Sequence, residues 1–520
     1  MENIDSDEED FEEPEINVDE SGSDQEEGAD DETADIDCLP SFESRDGTKW
    51  QRGETASPVG RIPRRNIVKT PGGTKRLLLA RVDNPIDVFC ELFDLDSLEK
   101  ICERTIEETR RQNDENFFIS VDEFKAFLGL AILRGVLKVR NEPLSNFWSE
   151  TYGRKIFRQT MSRKKFKDTL RYLRFDDKLT REERKLEDKF TPIREIWTSV
   201  LNNCQKHFFP YGNVTIDEQL FPCRARCAFI QYMPQKPSKF GIKFWMICDT
   251  QTSYVLQAYP YIGRVENRGQ AGLGEHVVME LMAPYFKSGI NVTTDNFFTS
   301  LNVAKQLLKE NVTLVGTLRQ NRREIPAELK SKDLPLLSSK FVFSEPDKIM
   351  LLAYKAKRNK VVYLLSSMHQ SPDIAQNDRK QRPESILFYN AHKGDVDTAD
   401  EMLRSFSTKA GTRRWPLAVF FNLLDIVSLN SYIICKDSSI TSMKRREFLI
   451  ALGVALCSSV SKPSSRIQPQ VTCQKKNILP GHKRTTCRRC QVNKTRNSCK
   501  KCSSFICGTC ANLVCDFCVQ

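Results

Sequence analysis

The sequence predicts an α/β protein: a mixed α/β core, a helical unit in front of it and a cysteine-rich metal-binding segment behind it. Three observations predict this class. Apolar residues recur at helical spacing from 84 to about 201. From 213 onward, short β-branched runs alternate with helical ones. Between 487 and 518, eight cysteines fall as four Cys-x₂-Cys pairs. A chain of 520 residues is too long for one core, and 39% hydrophobic content is enough for a folded body.

The first 44 residues hold 20 Asp/Glu and no Lys or Arg. Such a composition buries too little apolar surface to offset ordering entropy, so residues 1–60 read as an acidic disordered tail. The rest carries all 79 Lys/Arg against 49 acids (69 less 20), an excess of about +30 that points to a polyanionic partner. Residues 61–83, with Pro63, Pro71 and the Gly72-Gly73 pair, form a basic arm into the fold. No cationic-then-apolar leader opens the chain. The most apolar window, 417–434, is interrupted by Asn422, Asp425 and Asn430, which argues for a core helix and against a membrane partner. In the reducing compartment this implies, clustered cysteines read as metal ligands.

Within 84–205, Pro85 opens a helix, and Ser120 with Glu123 three residues later forms a capping box ahead of Phe124, Phe127, Leu128 and Ile132. Residues 161–175 make a second amphipathic helix with a basic face. The core, 206–436, offers strands at 213–218, 240–249, 254–262, 290–295, 312–318 and 361–366, and helices at 275–286 and 301–308. The polar stretch 319–360 reads as an insertion. A long helix begins near Pro416, and 437–482 reads as a flexible basic linker.

Two acids end β-rich runs: Asp217 in VTID and Asp295 in INVTTD. Asp397 and Asp400 lie three apart and share one helix face. Such carboxylates suit two divalent cations in phosphodiester chemistry, although acids at these positions also serve as caps and ion-pair partners. Beside Asp217 runs a basic connector, with Arg224, Arg226, Lys236, Lys239 and Lys243 as phosphate contacts. It leads to a further strand-end acid, Asp249. The four cysteine pairs, Cys487/Cys490, Cys499/Cys502, Cys507/Cys510 and Cys515/Cys518, supply eight thiolates, enough for two tetrahedral Zn²⁺ sites, and spacing alone leaves the pairing open.

These motifs, TIDEQL (215–220), RCAFIQYMPQKPSKFGIKFWMICD (226–249), TTDNFFTS (293–300), LVGTLRQNRREIP (314–326), VVYLLSS (361–367), KGDVDTADEM (393–402) and RRWPLAVFFNLLDIVSLNSYII (413–434), resemble the piggyBac family of DNA transposases in the same order. The resemblance implies a ribonuclease-H-like DDE/D core with an inserted domain, a helical dimerisation and DNA-binding domain, and a cross-braced zinc domain at 483–520. It matches the catalytic acids to Asp217, Asp295 and Asp397, which would hold Mg²⁺ or Mn²⁺, with Asp400 as an additional acid. Asp395 stands where the family usually has a glycine. Asn296 matches a position near the TTAA target, and Trp415, after Arg413 and Arg414, a tryptophan near the DNA end. The zinc pattern places Cys487, Cys490, Cys507 and Cys510 on one ion and the other four cysteines on the second, with Cys510 where the family has histidine. The implied activity is cut-and-paste transposition through hairpin ends into TTAA, by a homodimer on double-stranded DNA in the nucleus. A domesticated DNA-binding protein of the same fold is the alternative. A RING- or PHD-like chromatin factor fits the short gaps and basic charge of the tail less well.

Overall fold

The computed structural model describes residues 41–52, 67–114, 116–139, 142–234, 236–263, 272–330, 334–345, 347–461, 485–486 and 492–495. An eleven-stranded sheet organises it. In chain order its strands are β1 (Ser41–Glu43), β2 (Lys49–Arg52), β3 (Asn213–Pro222), β4 (Ile230–Tyr232), β5 (Phe240–Asp249), β6 (Val255–Pro260), β7 (Asn291–Thr294), β8 (Thr313–Leu318), β9 (Ser339–Ser344), β10 (Met350–Lys357) and β11 (Lys360–Ser366). The spatial order is β1-β2-β9-β10-β11-β8-β7-β3-β5-β4, with β6 also paired to β5. At its centre, β3, β5 and β6 are antiparallel neighbours, while β7 and β8 run parallel to β3. Numbered along the chain, these five strands lie in the order 3-2-1-4-5.

Helices α1 (Pro85–Leu92), α2 (Leu95–Arg111), α3 (Val121–Val136), α4 (Arg163–Tyr172) and α5 (Thr191–His207) precede β3. Helices α6 (Leu273–Met282), α7 (Leu301–Lys309), α8 (Glu384–His392), α9 (Asp395–Ser405), α10 (Trp415–Asp437) and α11 (Arg445–Ser461) follow. The helix starts obey local chemistry. Asn84 accepts from the Ile86 and Asp87 amides, and Ser120 and Glu123 form the expected capping box. One apolar core joins the helical unit to the sheet, and α10 runs through it. Each polar residue that interrupts α10 is bonded there. Asn422 donates to Gln219, Asp425 accepts from the Thr408 amide, and Asn430 exchanges two bonds with the backbone of Val255. The helix is long and apolar enough to cross a membrane, but 94% of its most apolar window is buried within the fold.

Three expectations change. Residues 41–52, expected within the disordered tail, fold as the β1–β2 hairpin, with β2 pairing to β9 and Trp50 fully buried. Residues 319–360 contribute β9 and β10 to the one sheet, because the edge of β11 is open to further antiparallel pairing. The expected linker holds α11, whose Phe448, Leu449, Leu452 and Leu456 are buried. Helix α11 packs against α3. The expected zinc ligands, Cys487, Cys490, Cys499, Cys502, Cys507, Cys510, Cys515 and Cys518, lie outside the described residues.

Candidate active site

Parallel pairing sets the centre of the site. The register Ile216 to Thr294 carries β3 and β7 forward together, so Asp217 and Asp295 emerge side by side. The third acid comes from α9. Thr215 Oγ1 donates to the His392 carbonyl at the end of α8, which fixes the start of α9 over β3. Asp397 lies in the first turn of α9, where the helix dipole favours a carboxylate.

The three acids sit in different environments. Asp217 accepts from the Glu218 amide at 2.7 Å. Burial, with Glu218, Asp295 and Asp397 close by, pushes its carboxyl well above the usual range, and Lys236 opposes this. Burial and Glu218 also raise Asp295, against amide bonds from Phe297 and Phe298 and the charge of Lys243. Asp397 is 63% exposed and accepts from Lys236 Nζ at 3.2 Å. Asp400 turns away from this group. It is buried, accepts from Gln219 Nε2 at 2.8 Å and pairs with Arg404 at 3.1 Å. Gln219 in turn accepts from Asn422 at 2.9 Å, so Asp400 ties α9 to β3 and α10.

Asp395 lies against Asp249: burial first, and then that neighbour, holds its carboxyl up to about 7. Asp249 is itself bonded by the Tyr211 and Thr252 amides and the Thr252 hydroxyl, which makes it a turn-holding acid.

Of the expected DNA contacts, Arg224, Lys239 and Arg413 are exposed. Lys243 is mostly buried, 3.5 Å from Glu218 and over the rings of Trp245 and Phe297. Asn296 accepts from Arg319 Nε at 3.1 Å. It lines a cavity of about 1050 Å³ with Lys243, Lys305, Arg319, Arg322 and Arg323. Two of the expected contacts have partners within the fold. Arg414 donates to the carbonyls of Leu170, Arg171 and Leu173 at the end of α4, so its guanidinium is committed within the fold. Trp415 packs against Phe229 and Phe190, ring centroids 5.1 and 5.6 Å away. It is partly buried, an aromatic at the margin of the core.

Sequence reasoning missed Glu218 and the arginines after β8. Strand alternation sends Glu218 to the face opposite Asp217, yet its charge acts on both Asp217 and Asp295. The arginines stand in RQNRREIP (319–326), inside a motif that carries the family resemblance, where their charge is a signal for a polyanion.

Among the described residues, no three His, Cys, Asp or Glu side chains are close enough together to hold an ion as they stand. The donor set nonetheless fits a hard divalent cation. It consists of carboxylate oxygens, with Asp217 raised first by burial and then by its acidic neighbours, and an ammonium group, Lys236, already bonds to Asp397.

A family model described as Transposase IS4, of the DDE type, matches residues 84–432. PiggyBac transposable element-derived protein 3 of Homo sapiens is 22% identical over 420 residues, 74% of this chain and 68% of that one. PiggyBac transposable element-derived protein 2 of Homo sapiens is 22% identical over 450 residues, 78% of this chain and 72% of that one. A cryo-EM structure of the piggyBac transposase synaptic complex with hairpin DNA superposes with a TM-score of 0.70 at 33% identity, over 84% of this chain and 98% of that one. With a family model across most of its length and a solved relative sharing its architecture, the chain belongs to the piggyBac family of transposases.

Proposed function

We propose that the chain is a cut-and-paste DNA transposase whose catalytic acids are Asp217, Asp295 and Asp397. The observation that carries this is the parallel β3–β7 register, which sets Asp217, in the middle of β3, beside Asp295, the residue after β7, with Asp397 in the first turn of α9. The 3-2-1-4-5 strand order supports reading the core as ribonuclease-H-like. Transposases of the DDE type use divalent metal ions. Mg²⁺ or Mn²⁺ bound by these acids would activate a water or 3′-hydroxyl and stabilise the leaving oxygen.

The chain's own residues do the rest. Burial and acidic neighbours disfavour the charged forms of Asp217 and Asp295, so a divalent cation held by both would relieve that cost. Exposed Arg224, Lys239 and Arg413 would hold the DNA backbone, and Arg319 with Asn296 would meet the strand beside Asp295. The partner in this reading is double-stranded DNA, met through hairpin ends and a TTAA target by a nuclear homodimer, as the resemblance implies. The eight tail cysteines would bind two Zn²⁺. The family names of the human relatives, "transposable element-derived", favour a second reading: a DNA-binding protein of this fold that no longer transposes.

One excision assay separates these, with wild type and Asp295→Asn on a donor carrying the flanking inverted repeats. Excision by wild type alone is the expected result. No excision by either, with DNA binding retained, would select the second reading. Excision surviving the Asn substitution would remove Asp295 from the mechanism. Zinc analysis of the purified chain is expected to give about two ions per chain.

A further inference from the structure

One cation already stands inside the acid cluster. Lys236 projects from the loop joining β4 to β5 and donates to Asp397 Oδ1 at 3.2 Å and to the Glu218 carbonyl at 3.4 Å. Its side chain is only 25% exposed, although a lysine on a hairpin loop ordinarily extends into water. Burial alone would lower its pKa; Asp397, Asp217 and Glu218 outweigh that and raise it. The loop is closed below it by the Met233 amide on the Lys239 carbonyl, 2.8 Å, and by the Lys236 amide on the Met233 carbonyl, 3.2 Å. The other nearby cation, Lys243, is engaged with Glu218 and two aromatic rings on the opposite strand face.

From this arrangement we infer that Lys236 is the resident counter-ion of the acid cluster, displaced when a divalent cation loads, so that metal binding releases the 233–239 loop. The inference rests on the metal reading above. The Asp397 oxygen that accepts the ammonium would also be a metal ligand. A metal held about 2 Å from that oxygen and an ammonium held about 3 Å from it are like charges in near contact. Only one stays. A lysine suits exchange better than an arginine, because its compact charge rides on a flexible stem and makes no bidentate fork. By linkage, whatever metal gains by expelling Lys236 reappears as weaker metal binding while Lys236 is in place. The freed loop carries Lys236 and Lys239 on one hairpin, available for DNA phosphates once the acids have their metal.

The test titrates Mn²⁺ into the full chain by calorimetry, for wild type, Lys236→Met, Lys236→Arg and Asp217→Asn, and follows hydrogen exchange of the peptide spanning 230–242. Lys236→Met is expected to bind Mn²⁺ at least tenfold tighter, and to melt lower without metal because the acids have lost their counter-ion. In wild type, Mn²⁺ should speed exchange in the loop; in Lys236→Met exchange should already be fast and indifferent to Mn²⁺. Lys236→Arg should keep wild-type exchange and bind Mn²⁺ no tighter. Unchanged affinity in Lys236→Met overturns the inference. Tighter binding without any loop response in wild type overturns it too, because through-space repulsion alone would then account for the affinity. Equal Mn²⁺ binding by wild type and Asp217→Asn would instead remove the metal reading itself, and this inference with it.

Discussion

Asp217 bears the heaviest electrostatic load at the site, and that load separates stability from function. Burial and three neighbouring acids raise its carboxyl, so its charged form costs folding free energy. Asp217→Asn keeps the shape and the acceptor for the Glu218 amide while removing the charge. The variant should melt about 2 °C above wild type without metal. It should cleave DNA about a hundred- to a thousandfold more slowly, the scale of losing a group aimed at the reacting atoms. Calorimetry and a gel-based nicking assay read the two effects. His369 makes a second residue-scale case. It bonds Ser366 at 2.8 Å, and burial lowers it to about 4, with Asp373 opposing. An unfolded histidine titrates near 6.5, so between about 6.5 and 4 the unfolded chain binds a proton the folded chain refuses. Stability should fall through that window as pH drops, by up to about 3 kcal/mol, and be insensitive to this group above it. Urea midpoints at pH 7.5 and 5 should differ less in His369→Gln than in wild type. At this scale, Asp217 and Asp295 were legible because each ends a β-branched run. Arg414 and Lys243 were not, because their partners, three helix-end carbonyls and Glu218, lie elsewhere in the chain or across the strand and leave no mark in local composition.

Among the elements, the α3–α11 crossing shows what local pattern conveys and what it omits. Helix α3 announced itself through Ser120, Glu123 and its apolar face, whereas α11 lay in a stretch whose basic charge read as linker. What α11 lacks alone, α3 supplies as a groove. A Cβ at Gly129 would lie 2.6 Å from the Gly453 carbonyl and 2.9 Å from Cys457 Sγ, so two glycines let the helix backbones approach closely. Gly129→Ala would gain about 1 kcal/mol of helix propensity in an isolated helix. Here the clash is with backbone, which cannot swing aside, and the net effect should be a loss of about 1–3 kcal/mol. A lower urea midpoint with an unchanged slope would show it. An unchanged or higher midpoint would mean the crossing is looser than 2.6 Å implies.

For the whole molecule, the sheet joins parts that are distant in sequence. Strand β2 pairs with β9, about 290 residues later, and such pairings are invisible to any local reading of an acidic segment. The hairpin's one strong signal was Trp50, which is fully buried with its indole donating to Ser44 at 3.1 Å. Without the hairpin, β9 would be a bare edge presenting Phe341 and Phe343 with unpaired backbone groups, a template for another chain. The short β1, bearing Glu43 and facing Lys49, ends the sheet in a form less open to further pairing. Two truncations test this division of labour. Removing residues 1–40 should leave the melting temperature unchanged and cause no added self-association in velocity sedimentation, because the hairpin stays. Removing 1–52 should lower the melting temperature, with a loss on the order of the 3–5 kcal/mol expected for Trp50→Ala, and should promote self-association in velocity sedimentation. If the shorter truncation already aggregates, the acidic tail keeps the chain monodisperse through its charge. If neither does, the β9 edge is protected by something other than β2.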